Sequence, residues 1–409
     1  MRDLRGVTAG LLAVALLAAG CSSDDDGAAQ DVDSEEAAAE SPSAPEPELY
    51  EGDDFYAVPD PLPEGRHGDL LRYEAMEGTA DFASWRIMYL SESLEGDPIA
   101  VTGFVLVPTV AAPPEGRTAV AVAHGTTGIA DECAPSLDPG VYASIGAVGG
   151  DTEPLLAFTD YEGLGTPGRH PYLVGESEGR GTLDALAAAR GLPDADVGDR
   201  YGIWGYSQGG HAALFAQEIA ADWGPEGMSL VGTVAGAPAT EMPVIFQSAG
   251  GLPGVAGFLY MIIAGFEAAY PEADPLLVLT DAGVDLLATV DEGCGGAFAA
   301  AAGRPPGELL KPDYADAAPW PELMEANNPG QVATDEPLLL LHSAADDVVP
   351  AALSQITFDR LCDLGQVVER RVYDQGDGHG AAALDAAVDG FAWLDGLFTG
   401  EAEPISTCP

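Results

Sequence analysis

Trp204–Ala213 reads W-G-Y-S-Q-G-G-H-A-A. A serine stands between two glycines, directly after an apolar run and directly before a stretch of helix formers. Glycine on either side lets the chain reverse sharply, and a sharp strand-to-helix turn leaves the serine hydroxyl exposed at its apex. Gly205-Tyr206-Ser207-Gln208-Gly209 fits G-x-S-x-G, in the strand–turn–helix setting that the motif requires. Small residues also serve turns with no chemistry. A nucleophile reading of Ser207 therefore needs a base, an acid to orient it and a site for an anion elsewhere in the chain.

Outward from this turn the chain alternates. Ser84–Ser91 and Ile99–Val107 read as strands separated by the turn signal E-G-D-P. Thr118–Ala123, Leu155–Tyr161, Tyr201–Tyr206, Leu230–Val234, Pro337–His342 and Val367–Tyr373 are apolar runs of the kind shown by strands buried on both faces. Gly181–Arg190, Gln208–Ala221 and Ala381–Phe398 read as helices. The pattern predicts an α/β fold, a mainly parallel sheet flanked by helices. From about residue 238 to 336 the alternation lapses. Gly250–Tyr270 in that section is apolar and rich in small residues, yet too broken by glycine and proline for a membrane span. The section is expected to be a helical cap inserted into the sheet domain. Gly250–Tyr270 would shape an apolar pocket, with Gly257 and Ala264 facing it.

The 409 residues are 47% hydrophobic, ample for a large core, and carry a formal charge of −52 with a single lysine, Lys311. Such a surface repels nucleic acid and anionic lipid headgroups, so no nucleic-acid partner is expected. The N-terminus has basic residues in M-R-D-L-R, an apolar run over Gly6–Gly20 and a small-residue end at A-A-G-C, which is an export signal. Cys21 resembles the acylated cysteine of a bacterial lipobox. Residues 1–21 are therefore expected to be a lipoprotein signal peptide, with the membrane met only through that lipid anchor. An ordinary cleaved signal would equally place the chain outside the cytoplasm. Residues 22–54 are acidic and poor in core formers, as in a disordered tether, and residues 55–409 form the folded domain. Four cysteines remain, Cys133, Cys294, Cys362 and Cys408. In an oxidising compartment they allow two disulfides in three connectivities, and none has zinc-ligand spacing.

In α/β-hydrolases the triad runs nucleophile, acid, histidine, which leaves His211, His342 and His379 as bases for Ser207. His211 lies on the helix just after the serine and points along it. His342 ends a buried strand and reads as structural. His379, in D-Q-G-D-G-H-G-A between the last strand and the last helix, can reach back over the sheet and is the expected base. The acid should follow the preceding strand, where L-L-L-L-H-S-A-A-D-D-V-V-P offers both Asp346 and Asp347. A metal site of His342, Asp346 and Asp347 competes, but no further ligand cluster supports it. The Gln208 N–H, at the start of a helix, is one donor for an anion. His124-Gly125-Thr126-Thr127-Gly128, directly after the strand Thr118–Ala123, is the expected place for a second.

At this point the chain resembles the secretory lipase family of α/β-hydrolases. The likeness rests on F-Y-A-V-P-D-P-L-P, A-V-T-G-F-V-L-V-P, A-H-G-T-T-G-I-A-D-E-C-A-P-S and D-Y-E-G-L-G-T-P-G-R-H-P-Y-L-V-G-E-S-E-G-R. It continues through W-G-Y-S-Q-G-G-H-A-A, A-D-D-V-V-P, G-H-G-A-A and W-L-D-G-L-F, covering about Phe55 to Cys408. The resemblance implies an α/β-hydrolase fold, lipase or carboxylesterase activity on a small-molecule or lipid ester, a helical cap over the acyl site, and no metal or other cofactor. It implies Ser207 as nucleophile, Asp346 as acid and His379 as base, with Thr127 and Gln208 forming the oxyanion hole. It also implies the pairings Cys133–Cys294 and Cys362–Cys408. The competing readings are an acyltransferase or peptidase with the same triad, and a non-catalytic surface lipoprotein that holds an apolar ligand under its cap.

Overall fold

Ten strands form one sheet in a computed structural model that describes residues 44–140, 152–249, 255–374 and 378–409. The expected signal peptide, Cys21 and the tether up to residue 43 lie outside the described residues. The strands are β1 (Glu48–Leu49), β2 (Leu70–Met76), β3 (Phe82–Glu92), β4 (Pro98–Pro108), β5 (Arg117–Ala123), β6 (Leu155–Thr159), β7 (Val197–Tyr206), β8 (Ser229–Gly236), β9 (Leu338–Ser343) and β10 (Val368–Tyr373). Their spatial order is β1-β2-β3-β4-β6-β5-β7-β8-β9-β10. Every pair from β6 to β10 is parallel, whereas β2, β3 and β4 pair antiparallel and β4 joins β6 antiparallel.

The central strands read as continuous apolar runs because helices cover both of their faces. Alternate residues of β5 divide between two cores. Ala119 and Ala121 pack with Leu183 and Leu186 of α1 (Gly175–Ala189) and Ala213 and Ala216 of α2 (Gln208–Trp223). Val120 and Val122 share the opposite core with the closing helix. Between β8 and β9 the described residues hold six α-helices, α3 (Met242–Ala249), α4 (Ala256–Ala269), α5 (Asp281–Leu287), α6 (Gly296–Ala301), α7 (Pro306–Leu309) and α8 (Trp320–Ala326). After β9 come α9 (Ala351–Leu364) and, after β10, α10 (His379–Thr399), the helix of the second core. The inserted helices have a core of their own, in which Trp320 stacks on Phe246 at 5.4 Å and Phe266 at 6.2 Å. That core rests on Ile129, Tyr172, Leu173 and Val174 of the sheet domain.

The observed elements depart from the sequence expectation at several places, among them β7, which begins at Val197 rather than Tyr201. β1, β2 and α9 have no counterpart in that expectation, and α1 begins six residues before the expected Gly181. Order also begins inside the expected 22–54 tether. Glu48–Leu49 pairs with Arg72–Tyr73, the Tyr50 N–H donates to Tyr73 O at 2.8 Å, and the Tyr50 ring packs edge-on against Phe55 at 5.5 Å. One aromatic ring and a sheet edge hold this segment despite its acidic surroundings.

Candidate active site

The turn between β7 and α2 is built from close backbone approach. A Cβ on Gly205 would lie 1.9 Å from Gly209 O, and one on Gly209 would lie 1.9 Å from Ala123 O. Only glycine fits either place. Ser207 itself has φ 62° and ψ −119°, a left-handed backbone that is costly for a residue with a Cβ and that gathers at functional turns. Its N–H donates to Gly236 O at 2.9 Å, so β8 fixes the apex from the side.

His379 is the first residue of α10, and its ring stands over this apex. Nε2 is 2.8 Å from Ser207 Oγ, and Nδ1 is 2.7 Å from Asp346 Oδ2. The Asp346 side chain is wholly buried, and its Oδ1 accepts from the N–H groups of Val348 at 2.9 Å and Val349 at 2.8 Å. Burial alone would raise the pKa of this carboxyl. Hydrogen bonds from His342, His379 and the Val348 N–H outweigh it and hold Asp346 well below the usual carboxylate range. Asp347 does different work. Its Oδ1 accepts from the His379 backbone N–H at 3.0 Å and caps α10. The structure thus divides the two acids left open by the sequence, one facing the ring and one the backbone of the same histidine.

Two neighbours of the Ser207–His379–Asp346 chain are not legible as such in the sequence. His342, expected to be purely structural, has Nε2 2.9 Å from Val349 O and 3.4 Å from Asp346 Oδ2. Tyr206 donates its hydroxyl to His379 O at 2.6 Å. His211 stands apart from Ser207 Oγ: its ring nitrogens meet Glu178 Oε2 at 2.8 Å and Asn327 O at 3.0 Å, in a buried cluster. Among the described residues no group of three or more His, Cys, Asp or Glu side chains could hold a metal ion.

The two residues expected to bind an oxyanion, Gln208 and Thr127, both stand beside Ser207. Gln208 opens α2, so its N–H belongs to the first turn, where helix donors lack internal partners. Thr127 borders the same cavity as Ser207 and His379, and its hydroxyl is buried without a hydrogen-bond partner. At the head of this loop, burial pushes the His124 pKa down to about 4 against hydrogen bonds to Gly125 O and Asp160 O, which keeps the ring neutral.

Two cavities meet at Ser207. One runs under the cap between Val244, Ile245 and Ala249 of α3, Phe258 and Ile262 of α4, and Leu353 of α9. The other is bounded by Thr126, Thr127, Trp204, Phe298, His379 and Leu384. Ser207 and Phe258 border both, and among the described residues no lysine, arginine, aspartate or glutamate lines either. The expectation for Gly257 and Ala264 is corrected here. A Cβ on Gly257 would lie 2.5 Å from the Phe298 ring, and Ala264 is fully buried in the cap core. The helix instead turns Phe258 and Ile262 to the cavity, and residues 250–254 lie outside the described residues. The disulfides are Cys133–Cys294 and Cys362–Cys408. The first ties the segment after the Thr127 loop to the cap, and the second ties α9 to the C-terminal segment.

Residues 155–405 match the family model described as secretory lipase. Lipase 1 of Candida albicans is 25% identical over 85% of this chain and 81% of its own length. A Mycobacterium tuberculosis protein named "Probable inactive lipase" is 25% identical over 74% of this chain and 72% of its own. Among solved structures, Candida antarctica lipase A in its closed state aligns with a TM-score of 0.73 at 19% identity, covering 87% of this chain and 89% of that one. With the mainly parallel sheet and its flanking helices, that likeness identifies the α/β-hydrolase fold.

Proposed function

This chain belongs to the secretory lipase family, and from that premise we propose that it is a serine hydrolase of carboxylic esters, acting through an acyl-enzyme. The observation that carries the reading is the continuous chain Ser207–His379–Asp346, with links of 2.8 and 2.7 Å, at the junction of two cavities whose described linings hold no lysine, arginine, aspartate or glutamate. His379 holds its proton on Nδ1, toward Asp346, leaving Nε2 to accept the Ser207 hydroxyl proton as Oγ attacks the ester carbonyl. The Gln208 N–H and Thr127 bind the oxyanion. His379 then gives its proton to the leaving alkoxide, and Asp346 stabilises the transient imidazolium. Water repeats the steps on the acyl-enzyme and releases the acid.

The cap-side cavity suits an acyl chain and the second cavity the alcohol. Linings without charge favour neutral esters, lipid or small, over ionised ones. A relative named as inactive makes a non-catalytic ligand-binding protein the alternative, and the complete triad favours catalysis in this chain. Neither cavity carries a feature that favours an acyltransferase or a peptidase. A secretory family and two disulfides accord with an extracellular protein. We further propose that Cys21 carries the lipid anchor, with no nucleic-acid partner. The test is hydrolysis of nitrophenyl esters from acetate to palmitate, with Ser207→Ala as control. Turnover abolished by Ser207→Ala is expected, and no turnover of any ester by the wild type would overturn the esterase reading.

A further inference from the structure

Beneath the nucleophile turn lies a buried polar cluster that the proposed chemistry does not use. Glu178 of α1 has no solvent exposure, and its carboxylate accepts from three separate places. Oε1 receives the Leu173 N–H at 2.9 Å and Gln208 Nε2 at 2.8 Å, and Oε2 receives His211 Nδ1 at 2.8 Å. The Gln208 amide also donates to His170 Nε2 at 2.8 Å, which can accept because His170 Nδ1 donates to Glu162 O at 2.9 Å. His211 Nε2 lies 3.0 Å from Asn327 O. Asn327, directly after α8, accepts the Gly175 N–H at 2.9 Å and donates to the Tyr270 hydroxyl, at the end of α4, at 2.9 Å.

Each group that Glu178 holds borders the site or leads to the cap. Leu173 lines the cap-side cavity with φ 58°, a backbone that leucine keeps only when its surroundings impose it. Gln208 carries the N–H at the head of α2. His211, one turn along the same helix, connects through Asn327 to two cap helices. Joining α1 to α2 does not require a carboxylate, because Leu183, Leu186, Ala213 and Ala216 already pack in one apolar core. A dry carboxylate is tolerated only where hydrogen bonds compensate it, and this one spends its bonds on the turn and the pocket wall. We infer that Glu178 is a positioning residue: it fixes the Gln208 turn and the Leu173 wall relative to each other and, through His211 and Asn327, sets the cap against the nucleophile. The inference rests on the esterase reading, since it assigns Glu178 a place behind that reading's oxyanion donor and acyl cavity.

Glu178→Met removes both carboxylate oxygens at similar side-chain length, so the Leu173 N–H, Gln208 and His211 all lose this partner. Gln208→Met cuts the same tie from the other side and keeps the backbone N–H. Deleting an oxyanion donor outright lowers kcat by roughly 10²–10³. A displaced donor should lower it by about tenfold to a hundredfold. The experiment measures kcat and KM on nitrophenyl butyrate, per active site titrated with a phosphonate, alongside circular dichroism and thermal unfolding. Both variants should lose that much kcat per site with KM within about twofold. Glu178→Met alone should also flatten the preference between butyrate and laurate, because it frees the Leu173 N–H. A structural role would lower Tm and the number of titratable sites while leaving kcat per site intact. That result overturns the proposal, as does wild-type kcat in Gln208→Met should Glu178→Met fail to fold. A wild type that hydrolyses no ester overturns the esterase reading and this role with it, which distinguishes the two failures.

Discussion

Replacing Asp346 by asparagine should convert His379 from a base into a competing donor. The Asp346 Oδ1 position accepts from two backbone N–H groups, those of Val348 and Val349. An asparagine there must keep its carbonyl oxygen toward them, because its amide would leave both donors unpaired in a buried site. Its Nδ2 then faces His379 Nδ1, which can only accept, so the imidazole carries its proton on Nε2. That proton points at Ser207 Oγ from 2.8 Å, and the serine has nowhere to send its own. The wrong tautomer and the lost counter-charge together should lower kcat by roughly 10⁴, about 5.5 kcal/mol of transition-state stabilisation. Asp347→Asn is the control. Its carbonyl oxygen can still accept the His379 N–H, so kcat should stay within about threefold, since that bond is retained. The assay is kcat on nitrophenyl butyrate for each variant after circular dichroism shows the native fold. Full activity in Asp346→Asn with collapse in Asp347→Asn would refute the assignment.

Val244, exposed on α3 and lining the cap-side cavity, can be enlarged without disturbing the core. Val244→Phe should lower kcat/KM for laurate relative to butyrate by about tenfold, the worth of one large apolar contact, and an unchanged profile places the acyl chain elsewhere. Burial raises the pKa of Asp160 from 3.8 to about 6. A folded-state value above the unfolded one means that stability from this group is complete below pH 3.8 and lost as pH rises through 6. Asp160→Asn should therefore gain stability relative to the wild type between those pH values, by up to about 3 kcal/mol. Urea unfolding at pH 4 and pH 7 measures this, and a pH-independent difference counts against it. Cys21→Ser should move the protein from the membrane fraction to the medium, because a lipidated N-terminus outweighs any surface contact of so acidic a domain. A wild type already found in the medium contradicts the anchor.

Much of this site could be read in advance because its constraints are local. Gly205 and Gly209 mark the turn because no Cβ fits there, and β5, β7 and β9 announce themselves as apolar runs with both faces covered. The parts that escaped depend on distant partners. Gly175 and Gly179 lie ahead of Gly181–Arg190, the stretch that reads as a helix, yet α1 includes them. Glycine stands there because α2 packs closely: a Cβ on Gly175 would lie 2.1 Å from the Phe215 ring and one on Gly179 would lie 3.0 Å from Ala216 N. In L-L-R-Y-E-A-M (β2) polar residues interrupt the apolar pattern, since an outer strand has less of its surface covered. Glu178 gives no signal at all. Its partners Gln208 and His211 are 30 and 33 residues away, and a lone glutamate in a helix ordinarily means solvent. His342 and Asp347 became legible only when the fold placed them on either side of the acid and base.

The most direct measurement is to react the wild-type protein with a fluorophosphonate, which only an activated serine attacks, and to locate the adduct by peptide mass spectrometry. The account predicts one phosphonyl group on Ser207, complete loss of ester hydrolysis in step with labelling, and no uptake by Ser207→Ala. An adduct on another residue, or ester hydrolysis surviving in Ser207→Ala, would contradict it.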